Sequence, residues 1–332
     1  KVNLNKIFSM KKPIAIIAGE PNSISSEIIF KSWKSKNKYR HKPFFVIGSV
    51  QLLNSQMKKL KYKIRINTIG KTIKIKDLSK SHLHVYNVKY TQKKPFENLS
   101  NKSNKYILEC FNVALKLANK KKILGFINCP ISKEFLFKNK HQGITEYLSK
   151  KENKKDDGVM LIFNNKLSVS PITKHIPIDQ VSKKINQIEI VNKIKTINNF
   201  YKKYFLKKPN FALLGLNPHN FYNSKKSKVK KHIDKSIRIL KKQKINVKGP
   251  ISSDSSFMIF RKYKFDVIIG MYHDQVLAPF KALYNFKAIN ITLGLPYIRI
   301  SPDHGIAHDI MGKKIANADS LIESIKFFNC IK

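Results

Sequence analysis

Short β-branched apolar runs alternate along this chain with longer stretches in which apolar residues return every third or fourth position. The runs at 13–18 (PIAIIA), 44–48 (FFVIG), 84–88, 123–127, 167–173, 211–216, 265–270 and 288–292 predict strands, most of them buried. The stretch 104–118 sets Ile107, Leu108, Phe111, Ala114, Leu115 and Ala118 on one helical face, and 26–33, 188–204 and 229–243 also read as helices. Residues 64–75 read as two edge strands around Gly70, and 161–169 as a hairpin turning at Asn164-Asn165. Strand and helix in alternation predict a mainly parallel sheet with helices on both faces. No repeat or low-complexity linker breaks the pattern, and no shift of composition marks a domain boundary.

The length, 332 residues, suits two α/β lobes, and an apolar content of 42% is enough for a sizeable core. No apolar run approaches the roughly 20 residues of a membrane helix, and the basic stretch 1–12 lacks the apolar core of a secretory signal. Cys110, Cys129 and Cys330 show no paired spacing, so neither a disulfide framework nor a cysteine zinc site is expected. These features predict a cytoplasmic protein with no membrane partner. The formal charge of +46 first suggests nucleic acid. Yet only Arg40, Arg65, Arg238, Arg261 and Arg299 among 66 basic residues are arginine, the residue that reads bases and clamps phosphate through its planar fork. Lysine is spread over the whole chain with abundant Asn and Ile, as an A/T-rich coding sequence produces, and no RNP, KH or zinc-finger pattern occurs. The expected partner is therefore a small anionic substrate, drawn in by the positive field, rather than nucleic acid.

Ligands of open α/β sheets bind beyond the carboxyl ends of strands, and three histidines stand there. His175 follows the run 167–173, His219 follows 211–216 and His273 follows the run ending at Gly270. Each alone reads as an ordinary loop histidine; three at equivalent positions also fit a divalent-metal ligand set. Both readings stand on these residues alone. Asp274, Lys281, Asn290 and Arg299 crowd the segment that follows. Arg299 suits a carboxylate or phosphate, or else an interior salt bridge. The small and polar run 301–309 (SPDHGIAHD) suits a loop against a flat ligand. The first strand's turn, GEPNS, is not a GxGxxG dinucleotide fingerprint, and no Walker loop occurs.

The segments LGLNPH, GPISSDSSF, GMYHDQ and INITLGLPYIRISPDHGIAHDIMG resemble the 4-hydroxythreonine-4-phosphate dehydrogenase family of vitamin B6 biosynthesis, and the similarity runs from Pro13 to Gly312. The resemblance implies an isocitrate/isopropylmalate dehydrogenase-like α/β fold: two α/β/α lobes, 1–125 plus 275–332 on the cofactor side and 126–274 at the centre, with the active site in the cleft between them. It implies His175, His219 and His273 as ligands of one divalent ion (zinc, magnesium or cobalt), and Thr145, Lys281, Asn290 and Arg299 as substrate contacts. Asp303, His304, Gly305, Ala307 and Asp309 would pack against the adenosine end of NAD or NADP, and Asp254 and Asp274 would be acid/base or supporting groups. The family is homodimeric with composite active sites.

Three departures bear on that expectation. Ile144 stands where the family has the histidine of a substrate-binding His-Thr pair, with His141 a candidate substitute; serines occupy two glycine positions of GEPNSISSE; and NFYNSKKSK replaces a small, acidic stretch after LGLNPH. Two other readings compete. A related dehydrogenase would oxidise a phosphorylated threonate- or erythronate-type sugar acid, and a metal-dependent phosphatase would use the same histidines without a nicotinamide.

Overall fold

The computed structural model describes residues 12–39, 41–70, 73, 75–78, 80–137, 143–152, 158–218 and 227–331. The chain opens with β1 (Ile14–Ile17), α1 (Ser25–Lys34), β2 (Phe44–Gly48), α2 (Val50–Lys59), β3 (Ile66–Ile69), β4 (Leu83–Asn87), α3 (Asn104–Asn119), β5 (Gly125–Asn128), α4 (Lys133–Phe137) and α5 (Ile144–Lys151). It continues through β6 (Val159–Asn164), β7 (Leu167–Thr173), α6 (Ile178–Lys184), α7 (Gln187–Phe200), β8 (Phe211–Leu214), α8 (Lys228–Lys242) and β9 (Val247–Ile251). Next come α9 (Ser253–Ile259), β10 (Val267–Tyr272), α10 (His273–Tyr284) and β11 (Ile289–Leu293), and the chain closes with β12 (Ile298–Pro302) and α11 (Asp319–Cys330).

Two compact units result, 1–157 with 295–331, and 158–294. These crossings lie later in the chain than the expected 125/126 and 274/275, for a packing reason. Leu136 and Phe137 at the end of α4 and Ile144 and Leu148 of α5 share a core with Phe111 and Phe126, which keeps the chain in the first unit past β5. Val276, Leu277 and Phe280 of α10 and Ala288 pack with Ile162, Val169 and Ile268, which keeps it in the second unit up to β11.

The first unit's strands run in the order β3-β4-β2-β1-β5-β12, each parallel to its neighbour. Their residues are buried on both faces at β1 and β2, which is why those strands read as continuous apolar runs. In the second unit the order is β11-β6-β7-β10-β8-β9. Here β6 runs antiparallel to both β11 and β7, and β7, β10, β8 and β9 are parallel.

Two expectations are corrected. Among the described residues of 64–75 one strand forms, β3, and Ile75, where the second edge strand is expected to end, opens a 3₁₀ turn, Ile75–Asp77; Lys71, Thr72 and Lys74 lie outside the described residues. The helix expected over 188–204 ends at Phe200 and passes into a π-helical turn, Tyr201–Phe205, which closes on Leu206 in the left-handed region. That turn lets Phe205 stack on Phe163, centroids 5.5 Å apart, and sets Tyr201 Oη 2.9 Å from Ser168 Oγ.

Gly125 of β5 lies between Ile14 of β1 and Ile298 of β12. A Cβ there would lie 2.6 Å from the Ile298 carbonyl oxygen and 2.9 Å from the Phe328 ring. Gly125→Ala is therefore expected to destabilise the first unit by about 1–3 kcal/mol through overpacking. Thermal unfolding followed by circular dichroism checks this; an unchanged midpoint would contradict the packing.

Candidate active site

Two of the histidines singled out by the sequence lie at the carboxyl ends of parallel strands in the second unit. Register pairs Thr173 of β7 with Tyr272 of β10. His175 lies two residues beyond Thr173 and His273 one residue beyond Tyr272, so the two imidazoles meet, with ring centroids 5.7 Å apart. Metal–nitrogen bonds of about 2 Å set two imidazoles on one ion with centres about 5 Å apart, so this spacing suits a shared ion with little adjustment. His273 is also the first residue of α10, and its Nδ1 lies 2.7 Å from Asp274 Oδ1. A carboxylate on Nδ1 fixes the ring's orientation and leaves Nε2 as the donor to a metal. Asp274 stands in the helix's first turn, where the exposed amides favour negative charge.

β8 is the other parallel neighbour of β10, with Leu213 beside Ile269. His219 follows β8 at this same edge in the sequence but lies outside the described residues, as does His141. Among the described residues no group of three metal-binding side chains assembles. The donor set therefore fits a divalent ion as far as it is described: two neutral-donor imidazoles, one with a carboxylate behind it. Asp254, in the first turn of α9 just past β9, is exposed and accepts from the Ser255 amide at 2.9 Å. A shallow cleft opens at this edge, with Gly215, Leu216, Asn217, Lys230 and Pro250 in its wall.

The other expected contacts fall elsewhere. Lys281 is exposed on α10, eight residues from His273, which is about 12 Å along a helix. Asn290 is half-buried on β11 opposite Ile162.

Arg299 and Thr145 belong to the first unit. Arg299 on β12 pairs with Phe126 of β5 and is 4% exposed. Its Nε donates to Oδ1 of Asn128, the last residue of β5, at 2.7 Å. Burial lowers the guanidinium pKa to about 10, opposed by the nearby Glu146 carboxylate, so the group stays cationic at neutral pH. Thr145 is half-buried in the first turn of α5, beside Glu146. Ile144 is 4% exposed within the apolar core, so the residue in place of the family's histidine is spent on packing.

At the end of β1, the serines of GEPNSISSE adopt no positive φ. Ser23 Oγ donates to the Glu20 carbonyl at 2.7 Å and accepts from the Ser25 amide at 3.0 Å, while Ser25 Oγ donates to the Pro130 carbonyl at 3.3 Å. Hydroxyls thus hold this turn without glycine at those two positions. Glycine is required only at Gly19, whose φ is +78° and whose missing Cβ leaves room for Pro130 O. Glu20 is buried, and desolvation raises its pKa against bonds from the Asn22 amide and the Ser103 hydroxyl.

Asp303, His304, Gly305, Ala307 and Asp309 lie in the loop after β12. The Asp303 amide donates to Ser320 Oγ at 2.9 Å, Ala307 is left-handed with φ 44°, and His308–Ile310 form a 3₁₀ turn. Sequence reasoning missed Glu20, Asn128 and Glu146. Glu20 had a signal, a carboxylate directly after a strand-ending glycine; the other two acquire meaning only once β12 lies beside β5.

Among the described residues no helix is long and apolar enough to cross a membrane. The chain is 35% identical over 324 residues to the 4-hydroxythreonine-4-phosphate dehydrogenase of Sulfurihydrogenibium sp., covering 96% of this chain and 98% of that one. A protein of Oceanobacillus iheyensis, assigned as a D-threonate 4-phosphate dehydrogenase, is 30% identical over 95% of this chain and 96% of its own. The crystal structure of 4-hydroxythreonine-4-phosphate dehydrogenase from Klebsiella pneumoniae superposes with a TM-score of 0.83 at 26% identity, covering 96% of this chain and 98% of that one. The family model for pyridoxal phosphate biosynthetic protein PdxA matches residues 40–328, and the chain belongs to that family.

Proposed function

We propose that this protein oxidises 4-phosphooxy-L-threonine at C3 with NAD or NADP. The product, 2-amino-3-oxo-4-phosphooxybutanoate, is a β-keto acid that loses CO₂ to give 3-amino-2-oxopropyl phosphate, a step of pyridoxal 5′-phosphate biosynthesis in the cytoplasm. The observation that carries the reading is the meeting of His175 and His273 at paired strand ends, with Asp274 behind one ring.

His175, His219 and His273 would hold one divalent ion (zinc, magnesium or cobalt), which supplies Lewis-acid polarisation of the substrate's hydroxyl and lowers its pKa. Asp274 keeps the His273 ring in the donor tautomer, and Asp254 stands at the same edge as an acid/base or supporting group. Arg299 offers a buried, permanently charged fork to phosphate or carboxylate, with Asn128 and Glu146 orienting it and Thr145 adding a hydroxyl. Asn290 and Lys281 add a hydrogen bond and a charge to the substrate. Asp303, His304, Gly305, Ala307 and Asp309 would receive the adenosine end of the dinucleotide.

A second copy of this chain completes the site. Lys281 is about two turns along α10 from His273 and shares its neighbourhood in sequence with exposed apolar residues, Leu283 at 52% and Phe286 at 50%; Met258, on the packed helix α9, is 82% exposed. Exposed apolar side chains on and near the helix that carries Lys281 suit a subunit interface, and support a homodimer in which Lys281 serves the partner's site.

One observation favours a second substrate. Ile144 removes a polar group that the family directs at the substrate, and a relative at 30% identity is assigned to a threonate phosphate. A phosphorylated threonate- or erythronate-type sugar acid, which lacks the amino group, is therefore the alternative.

Reduced-nicotinamide absorbance with 4-phosphooxy-L-threonine and with phosphothreonate, each with and without chelator, tests the reading. Turnover of the first, abolished by chelator, is expected; turnover of the phosphothreonate alone would transfer the assignment to the sugar acid.

His219→Ala is expected to remove bound metal and turnover together, whereas Asp274→Asn should weaken metal binding by about 10–100-fold. Competition titration with a fluorescent chelator reads both; a His219→Ala protein with full turnover overturns the metal assignment. Arg299→Lys is expected to raise KM for the phosphorylated substrate by about tenfold, because one ammonium cannot reproduce the two parallel bonds of the fork. Initial rates at varied substrate check it.

A further inference from the structure

The loop 303–316 is fastened to α1 from two sides. Near its start, the Ile24 amide donates to the Ile306 carbonyl at 3.2 Å. At its end, Glu27 and Lys31, one helical turn apart on α1, form an ion pair at 2.8 Å in which the Glu27 side chain is 1% exposed. The pair grips the loop's backbone in both polarities. Glu27 Oε1 accepts from the Ala316 amide at 2.8 Å, while Lys31 Nζ donates to the Ala316 carbonyl at 2.6 Å and to the Lys314 carbonyl at 3.1 Å.

The loop so held is strained. Ala307 and Lys314 occupy the left-handed region, with φ of 44° and 65°. Non-glycine residues persist there only where their surroundings over-determine them. The clasp seizes the carbonyl of Lys314 itself, one of the two strained residues. Between the fastenings at Ile306 and Lys314 lie His308 and Asp309, both exposed, and Gly305 next to the first is exposed too. A buried carboxylate is costly to leave without a counter-charge. Spending one on main-chain atoms nearly 300 positions away in sequence points to the loop's conformation as its purpose.

We propose that the Glu27–Lys31 pair positions loop 303–316 in the conformation that receives the dinucleotide. The proposal rests on the reading of that loop given above. A loop ordered in advance spares the ligand the cost of ordering it, so loss of the clasp weakens dinucleotide binding and leaves the chemical step alone.

Hydrogen exchange of the full-length, ligand-free protein, combined with steady-state kinetics, tests this. In Lys31→Met, amides of 304–316 should exchange about tenfold faster, and KM for NAD or NADP should rise about tenfold with kcat and the phosphorylated substrate's KM nearly unchanged. Lys31→Arg, which keeps the cation, should restore both. Glu27→Gln keeps the acceptor for Ala316 without the ion pair; it should fall between, and it carries the test if Lys31→Met fails to fold. Unchanged exchange with a raised dinucleotide KM would overturn the clasp and spare the cofactor reading. Faster exchange with unchanged dinucleotide KM would overturn that reading of the loop and the proposal with it. A fall in kcat alone would also overturn the proposal.

Discussion

Parallel pairing of β7 with β10, in the register that sets Thr173 beside Tyr272, is the constraint from which the meeting of His175 and His273 follows. Both strands are almost wholly buried, so neither can slide without moving apolar residues out of the core. Each must also end at the same edge, because parallel strands share a direction. His175 and His273 then meet without a dedicated loop to bring them together. The start of α10 at His273 adds the last element: the next residue, Asp274, is both a first-turn carboxylate favoured by the helix and the group on His273 Nδ1. One strand pair and one helix start specify two donors and the orientation of one ring.

Strands buried on both faces, such as β1 and β2, were legible as uninterrupted apolar runs, and the histidines were legible because Pro or polar residues mark where such runs stop. β12 does not stand out in the sequence, since Arg299 interrupts its apolar residues and the turn-forming residues of LGLPY precede it. β9 was hidden by Gly249-Pro250, and α10 by a proline inside the helix. Local propensity was overridden in each case by pairing or packing with distant segments. The site divides in the same way. Contacts between sequence neighbours, as in His273–Asp274, can be read from spacing. Asn128 with Arg299, and Glu27 and Lys31 with Ala316, join segments that only the fold brings together.

The serines after β1 show how a turn survives loss of its glycines. A serine cannot cheaply adopt positive φ, but its hydroxyl can bond to the backbone two or three positions away. Ser23 and Ser25 use that second route, and Ser25 also reaches the Pro130 carbonyl, which joins the end of β1 to the segment after β5. These hydroxyls thereby hold the crossover at the carboxyl ends of β1 and β5, beside which Arg299 meets Asn128.

Arg299 explains why a lysine-rich chain keeps an arginine here. Its burial brings the guanidinium down to about 10, which still leaves it charged at neutral pH. A lysine begins about two pH units lower and responds more strongly to burial, so the same surroundings would bring it towards neutrality under working conditions. Glu146 opposes that loss only in part. Arginine tolerates burial with a modest counter-charge and keeps its charge. The pressure that filled the surface with lysine thus meets, at this one buried position, a requirement that lysine cannot fulfil.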